Sequence, residues 1–301
     1  MENQSLDDSR PRIPSITLGC WAFDTAPGYG NGESERVLGV ALKGRRDEAL
    51  IIDKVAPESM SGPDVQSSCE ESLARLQTDR IDILLVHWPS REVATAETCK
   101  AMLKLKEEGK VRYIGVCNCG MEDMTDYLAG LGDLAVNQLP YSLLCRAIEF
   151  EILPECLKRN VPVLAYSPLM QGLLTGKFKS PDEVPAGRRR SRHFSSKRPE
   201  TRHGEPGFEY ETFQAIEAIR KIHMDTNISM THLALLWVKS QLGVESVIVG
   251  ARNEKDIVDN AAAFDQSMSA EIIDALNQAS STVKTLLGKN PDLWERGGRY
   301  R

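Results

Sequence analysis

The chain lacks the signatures of several common protein classes, and each absence narrows what its 301 residues can be. No apolar run approaches the roughly 20 residues that a transmembrane helix needs, and neither end reads as a secretory leader, so a soluble cytoplasmic protein is expected. The seven cysteines contain no CxxC pair. Their odd number and scatter fit reduced thiols in a core better than a disulfide framework, and Cys117 and Cys119 have no neighbouring His/Cys cluster that would make them metal ligands. GYGNGE spaces its glycines wrongly for the GxGxxG fingerprint. GLLTGKF is one residue short of a phosphate-binding P-loop, with Phe178 where Ser or Thr would hold magnesium, and no GxSxG elbow occurs. A formal net charge of −6 gives no electrostatic reason to expect nucleic acid or an anionic membrane as partner.

What is present is a regular alternation of strand-like and helix-like periods. Strand candidates fall at 15–23, 49–55, 81–87, 111–117, 134–138, 161–166 and 245–249. Helical patterns occupy 34–43, 63–77, 95–109, 121–130, 148–160, 208–222, 229–241, 253–262 and 269–287. Short connections between alternating elements imply parallel strands with crossover helices, an α/β fold. Residues 1–12 read as a flexible lead-in, and 167–207, rich in Gly, Pro, Arg and Ser, is long enough to be functional.

Within this frame, FDTAPGYGNGESERVLG at 23–39 ends a strand in Asp24, turns on glycines 28, 30 and 32 around Tyr29, and opens a helix with Ser34 as expected N-cap. Lys54 closes ALIIDKV and His87 closes IDILLVHWP. Each alone is commonly a solvated lysine or a hydrogen-bonded core histidine. Four ionisable groups at strand ends instead suggest one mouth of a barrel, where catalytic residues collect at the C-terminal ends of strands.

The motifs DTAPGYGNGESERVLG, DKV, LLVHWP, GVCN, NQLPYSLL, AYSPLMQGLLTGKF and VGARNEKDIVDN follow one another in the order found in the aldo-keto reductases. From about Ile16 onward the chain resembles that family. The resemblance implies a single (β/α)8 TIM-barrel domain over 1–301 that reduces an aldehyde or ketone with NADPH, with NAD the less favoured cofactor. By motif, the catalytic tetrad falls on Asp24, Tyr29, Lys54 and His87, with Tyr29 as proton donor, and Trp21 and Trp88 match substrate-pocket aromatics. Asn118 and Gln138 match residues that hold the nicotinamide carboxamide, with Cys117 where a serine is usual, and Tyr166 matches the residue that stacks on its ring. Ser167, Leu169 and Gly172 begin the loop along the pyrophosphate, and the basic run 188–198 either leans over it or is a solvated loop. Gly250, Arg252, Asp259 and Asn260 match the adenosine segment. Arg252 suits a 2′-phosphate; Asp256 would oppose one.

Two features depart from the pattern: the family's N-terminal hairpin is hard to recognise in residues 1–14, and the strand count is one short. Seven strand candidates stand where the barrel has eight, because Trp21-Ala22-Phe23 run straight into Asp24, where relatives insert a loop, a helix and a strand, a shortage of roughly 30 residues. The barrel is then incomplete, or the lead-in is drafted into it. A non-catalytic or impaired cofactor-binding protein of the same ancestry is therefore the alternative function.

Overall fold

The computed structural model describes residues 11, 13–17, 21–295 and 299–301. They form two compact units that divide between Asn137 and Gln138. Most of the expected lead-in, and the middle of the strand expected at 15–23, lie outside the described residues.

The first unit runs β1 (Ile16–Thr17), β2 (Ala22–Asp24), α1 (Glu33–Ala41), β3 (Leu50–Val55), α2 (Gly62–Leu76), β4 (Ile81–Val86), α3 (Thr95–Glu107), β5 (Val111–Cys117) and α4 (Met121–Leu131). β2 pairs with β3, β3 with β4 and β4 with β5, all parallel. β3 and β4 are buried at every position. Their near-continuous apolar sequences are what helix-covered parallel strands require. Ser61 caps α2 by accepting the Asp64 N–H, and Pro63 occupies its first turn.

The second unit contains β6 (Asn137–Pro140), which begins at the boundary, then α5 (Ile152–Lys158), β7 (Val163–Tyr166), α6 (Glu209–Thr226), α7 (Met230–Lys239), β8 (Val244–Ile248), α8 (Glu254–Ala263), α9 (Ala270–Ala279) and α10 (Ser281–Leu287). β7 and β8 are parallel, with a register irregularity at 163/164. α7 is the central core helix of this unit: all of 232–238 is buried, and the Trp237 indole N–H is satisfied by Asn277 at 3.0 Å.

Of the strand expected at 15–23, the described residues carry Ile16–Thr17 and Ala22–Asp24 as strands. Three expectations need correction. The strand expected at 134–138 is assigned at Asn137–Pro140, although 134–136 already pair with β5 through Ala135 N–H to Ile114 O and Val116 N–H to Val136 O. The helix expected at 269–287 breaks at Ser280, whose buried hydroxyl turns back to Leu276 O at 2.9 Å. The N-cap of α1 is Gly32 (φ 81°), not Ser34. Gly30, Asn31 and Gly32 are all left-handed, a run only glycine-rich sequence enters cheaply, and Ser34 instead bonds Thr25 Oγ1 at 2.8 Å.

Candidate active site

Three neighbouring parallel strands carry Asp24, Lys54 and His87 at or just beyond their C-terminal ends. Asp24 pairs in register with Ile52 and Lys54 with Leu85, while the His87 N–H donates to Val55 O at 3.0 Å. The side chains are thereby brought to one end of the strands of the first unit. Tyr29 arrives from the turn after β2, fixed by its N–H to Ala26 O and by the Ser34 N–H to its own carbonyl.

The Lys54 ammonium is fully buried and donates to Asp24 Oδ2 and Thr25 O, each at 2.8 Å. Burial alone would lower its pKa, but the charges of Asp24, Tyr29 and Cys117 outweigh that and hold it above the ordinary lysine value. Lys54 Nζ lies 4.8 Å from the Tyr29 ring centroid, and the Tyr29 and His87 rings meet edge to face at 6.1 Å. The four groups expected to converge do so.

Their ionisation states follow from the surroundings. Burial raises the Tyr29 phenol above 10.0, Asp24 and Cys117 add to the effect, and Lys54 works against it without reversing it. Tyr29 therefore keeps its proton at neutral pH. His87 is lowered from 6.5 to about 4, first by burial and then by Lys54, so its imidazole is neutral. A neutral imidazole both accepts and donates a hydrogen bond.

Around this core, Asn118, itself left-handed (φ 55°), donates to His87 O and to Cys117 Sγ, each at 3.1 Å. The buried Cys117 thiol is raised by burial. Trp21 is 39% exposed, and Trp88, directly after His87, is half-buried. Sequence reading passed over Asp53, Glu35 and Arg75, although a charged residue inside the apolar run ALIIDKV was a visible signal.

In the second unit, Gln138 is buried within β6 and Tyr166 ends β7 half-buried. The chain then enters a strained stretch with Ser167, Met170, Gln171 and Gly172 all at positive φ. Gly172, at φ 91°, lies beneath two cations: a Cβ there would stand 2.9 Å from Lys177 Nζ and 3.7 Å from Arg188 Nη1. Partial burial, then the charges of Arg188 and Arg252, lower the Lys177 pKa, so the three cations share one neighbourhood. Leu169 precedes the strained turn, and Gly250 and Arg252 are exposed before α8. Asp256 engages Arg252 through both its Nε and its N–H, each at 3.1 Å. Asn260 reaches back to Gly250 O at 3.4 Å, and Asp259 is engaged by His232.

The basic run 188–198 divides between two roles. Arg188 joins the cation group. Arg192 is buried, pairs with Glu205 and caps the carbonyls of Leu287 and Asn290, while Arg198 pairs with Glu209 and Asp182. Most of the run is thus an internal clamp.

The model of the Aldo/keto reductase family matches residues 15–281. The chain belongs to that family. The E. coli methylglyoxal reductase YeaE is 34% identical over 271 residues, which are 89% of this chain and 83% of that protein. An NADH-specific methylglyoxal reductase of E. coli is 31% identical over 269 residues, 82% of this chain and 79% of the relative. An aldo/keto reductase of Klebsiella pneumoniae solved with NADP and acetate is 30% identical with a TM-score of 0.70, covering 96% of this chain and 95% of that one. The glycerol dehydrogenase of Gluconobacter oxydans reaches a TM-score of 0.75 at 28% identity, over 90% of this chain and 82% of that one.

The family resemblance read from the motifs is therefore correct, and the fold class is the α/β TIM-barrel type of these reductases. As an aldo/keto reductase the chain is an oxidoreductase whose general chemistry is carbonyl reduction. Among the described residues no helix is long and apolar enough to cross a membrane.

Proposed function

We propose that this aldo/keto reductase, acting as one domain over 1–301, reduces a small aldehyde or ketone to an alcohol with NADPH, Tyr29 supplying the proton. The convergence of Lys54, Asp24, Tyr29 and His87 in the first unit carries this reading. Bound NADPH would supply the hydride to the carbonyl carbon. The chain's own part is to hold the substrate oxygen and protonate it. Tyr29 enters protonated, as a donor must. The buried ammonium of Lys54 stabilises the phenolate left behind. Asp24 and Thr25 O fix that ammonium, and the neutral His87 orients the oxygen by hydrogen bonding. A proton from solvent restores Tyr29 for the next turn.

The residues of the second unit suit the cofactor's anionic part. Lys177, Arg188 and Arg252 gather positive charge around the cradle of Gly172, which a Cβ would fill. Arg252 suits the 2′-phosphate, and Asn118, Gln138, Tyr166, Ser167, Leu169, Gly250, Asp259 and Asn260 keep the cofactor roles that the family resemblance assigns. Methylglyoxal is the first substrate to try, since two relatives are named for its reduction; Trp21 and Trp88 would face it.

The test is turnover of methylglyoxal and simple aldehydes with NADPH and with NADH. NADPH oxidation by the wild type that is lost in Tyr29→Phe supports the reading. Cofactor binding without turnover in the wild type would replace it with the non-catalytic alternative. The acid limb of kcat/KM is expected near pH 4, where His87 takes a proton, rather than near the ordinary histidine value of 6.5.

A further inference from the structure

Behind Lys54 lies a buried polar cluster that this chemistry leaves unused. Side chains alternate along a strand, so Asp53 faces away from Lys54, toward α1 and α2. Asp53 is 0% exposed; its Oδ1 accepts the backbone N–H of Lys54 at 2.8 Å, and its Oδ2 is buried with no hydrogen-bond partner. Glu35 on α1 is also 0% exposed, held by Arg75 of α2 with Nε at 2.6 Å and Nη2 at 3.2 Å. Arg75 further donates to Ser72 Oγ at 3.2 Å and to the more exposed Glu71 at 3.3 Å, which holds the Ser72 hydroxyl on the Asp53 side of α2. The remaining titratable group toward Asp53 on α2 is the Cys69 thiol, pushed up to about 12 by burial and then by Asp53.

Two buried carboxylates thus depend on one guanidinium, which is committed to Glu35. Burying a second uncompensated negative charge is costly, and the inexpensive resolution is a proton on the carboxyl without a cation. Burial first, and Glu35 second, push Asp53 up to about 7.

We propose that Asp53 is a positioning residue for the Lys54–Tyr29 pair: gaining or losing its proton behind the Lys54 amide changes the positive field that Lys54 delivers to Tyr29. This rests on the proposed role of Tyr29. With Asp53 neutral, Lys54 acts on the phenol at full strength. With Asp53 ionised, a second negative charge opposes that pull, and Tyr29 becomes a poorer proton donor. Reduction is then faster below neutrality than above it, and the change falls on kcat because Asp53 touches neither substrate nor cofactor.

The experiment measures kcat and KM for methylglyoxal with NADPH from about pH 5 to about pH 9 in wild type, Asp53→Asn and Ser72→Ala. The wild-type kcat is expected to fall roughly three- to tenfold as pH rises through neutrality. Asp53→Asn should hold the low-pH rate across that range. Ser72→Ala, which removes a neighbouring hydroxyl that favours the Asp53 carboxylate, should move the step to higher pH with KM unchanged. A neutral-pH step that persists in Asp53→Asn overturns the proposal, as does an effect confined to KM. If Asp53→Asn does not fold, an unshifted step in Ser72→Ala overturns it. Full activity in Tyr29→Phe would defeat the proposed function itself, whereas a dead Tyr29→Phe with superimposable wild-type and Asp53→Asn profiles defeats only this inference.

Discussion

The two units handle charge in opposite ways. In the first, the Lys54 ammonium is buried to 0% exposure and Asp24 nearly so, each answered by the other at 2.8 Å. In the second, Lys177 and Arg252 stand exposed with Arg188 beside them, and Asp256 is the carboxylate paired with Arg252. Buried charges interact strongly and cannot relax without penalty, which suits a group that must stabilise a charge forming beside it. Exposed cations on flexible stems interact weakly but steer and adapt, which suits holding a phosphate. Chemistry and binding are thus built from the same residue types in different surroundings.

Breaking the buried side should have the larger consequences. Tyr29→Phe is expected to lower kcat by about 10²–10⁴-fold, the usual worth of a positioned general acid, while leaving cofactor affinity unchanged in a fluorescence titration. Lys54→Ala should abolish reduction and destabilise the fold by about 3–5 kcal/mol in urea unfolding, because it removes the buried cation paired with the Asp24 carboxylate.

Asp53 sharpens the comparison, since it is a buried carboxyl with no side-chain cation paired to it and one oxygen left without a hydrogen bond. Its folded-state value lies above the unfolded one, so the stability it lends is complete below about pH 4 and is lost as pH rises through about 7. Asp53→Asn should therefore melt higher than wild type at pH 8, by on the order of 2–4 kcal/mol, with the gain vanishing toward pH 4. The smallest effect belongs to the exposed side. Asp256→Asn frees Arg252 and should lower KM for NADPH about two- to fivefold, with little change for NADH, an advantage that added salt erodes.

Much of this was legible in the sequence. Asp24, Tyr29, Lys54 and His87 could be placed at strand ends because apolar runs of strand length stop where they stand, and parallel strands put those ends together. The left-handed run at Gly30–Gly32 was visible as glycines, but the helix cap was misread, since Ser34 looked like a cap when Gly32 already supplied the backbone conformation. The Asp53–Ser72–Arg75–Glu35 cluster joins residues from three elements, and no local pattern states which helix faces of α1 and α2 meet behind β3. The basic run 188–198 misled for the same reason: charge alone does not distinguish Arg188, near Gly172, from Arg192, buried against backbone carbonyls.

The most direct test of the central claim is a single turnover of protein preloaded with NADPH and mixed rapidly with methylglyoxal, in wild type and Tyr29→Phe. The account predicts rapid loss of nicotinamide fluorescence in the wild type and almost none in Tyr29→Phe, with both proteins loading the cofactor equally. Equal single-turnover rates in the two would contradict it, because the proton would then come from a group other than Tyr29.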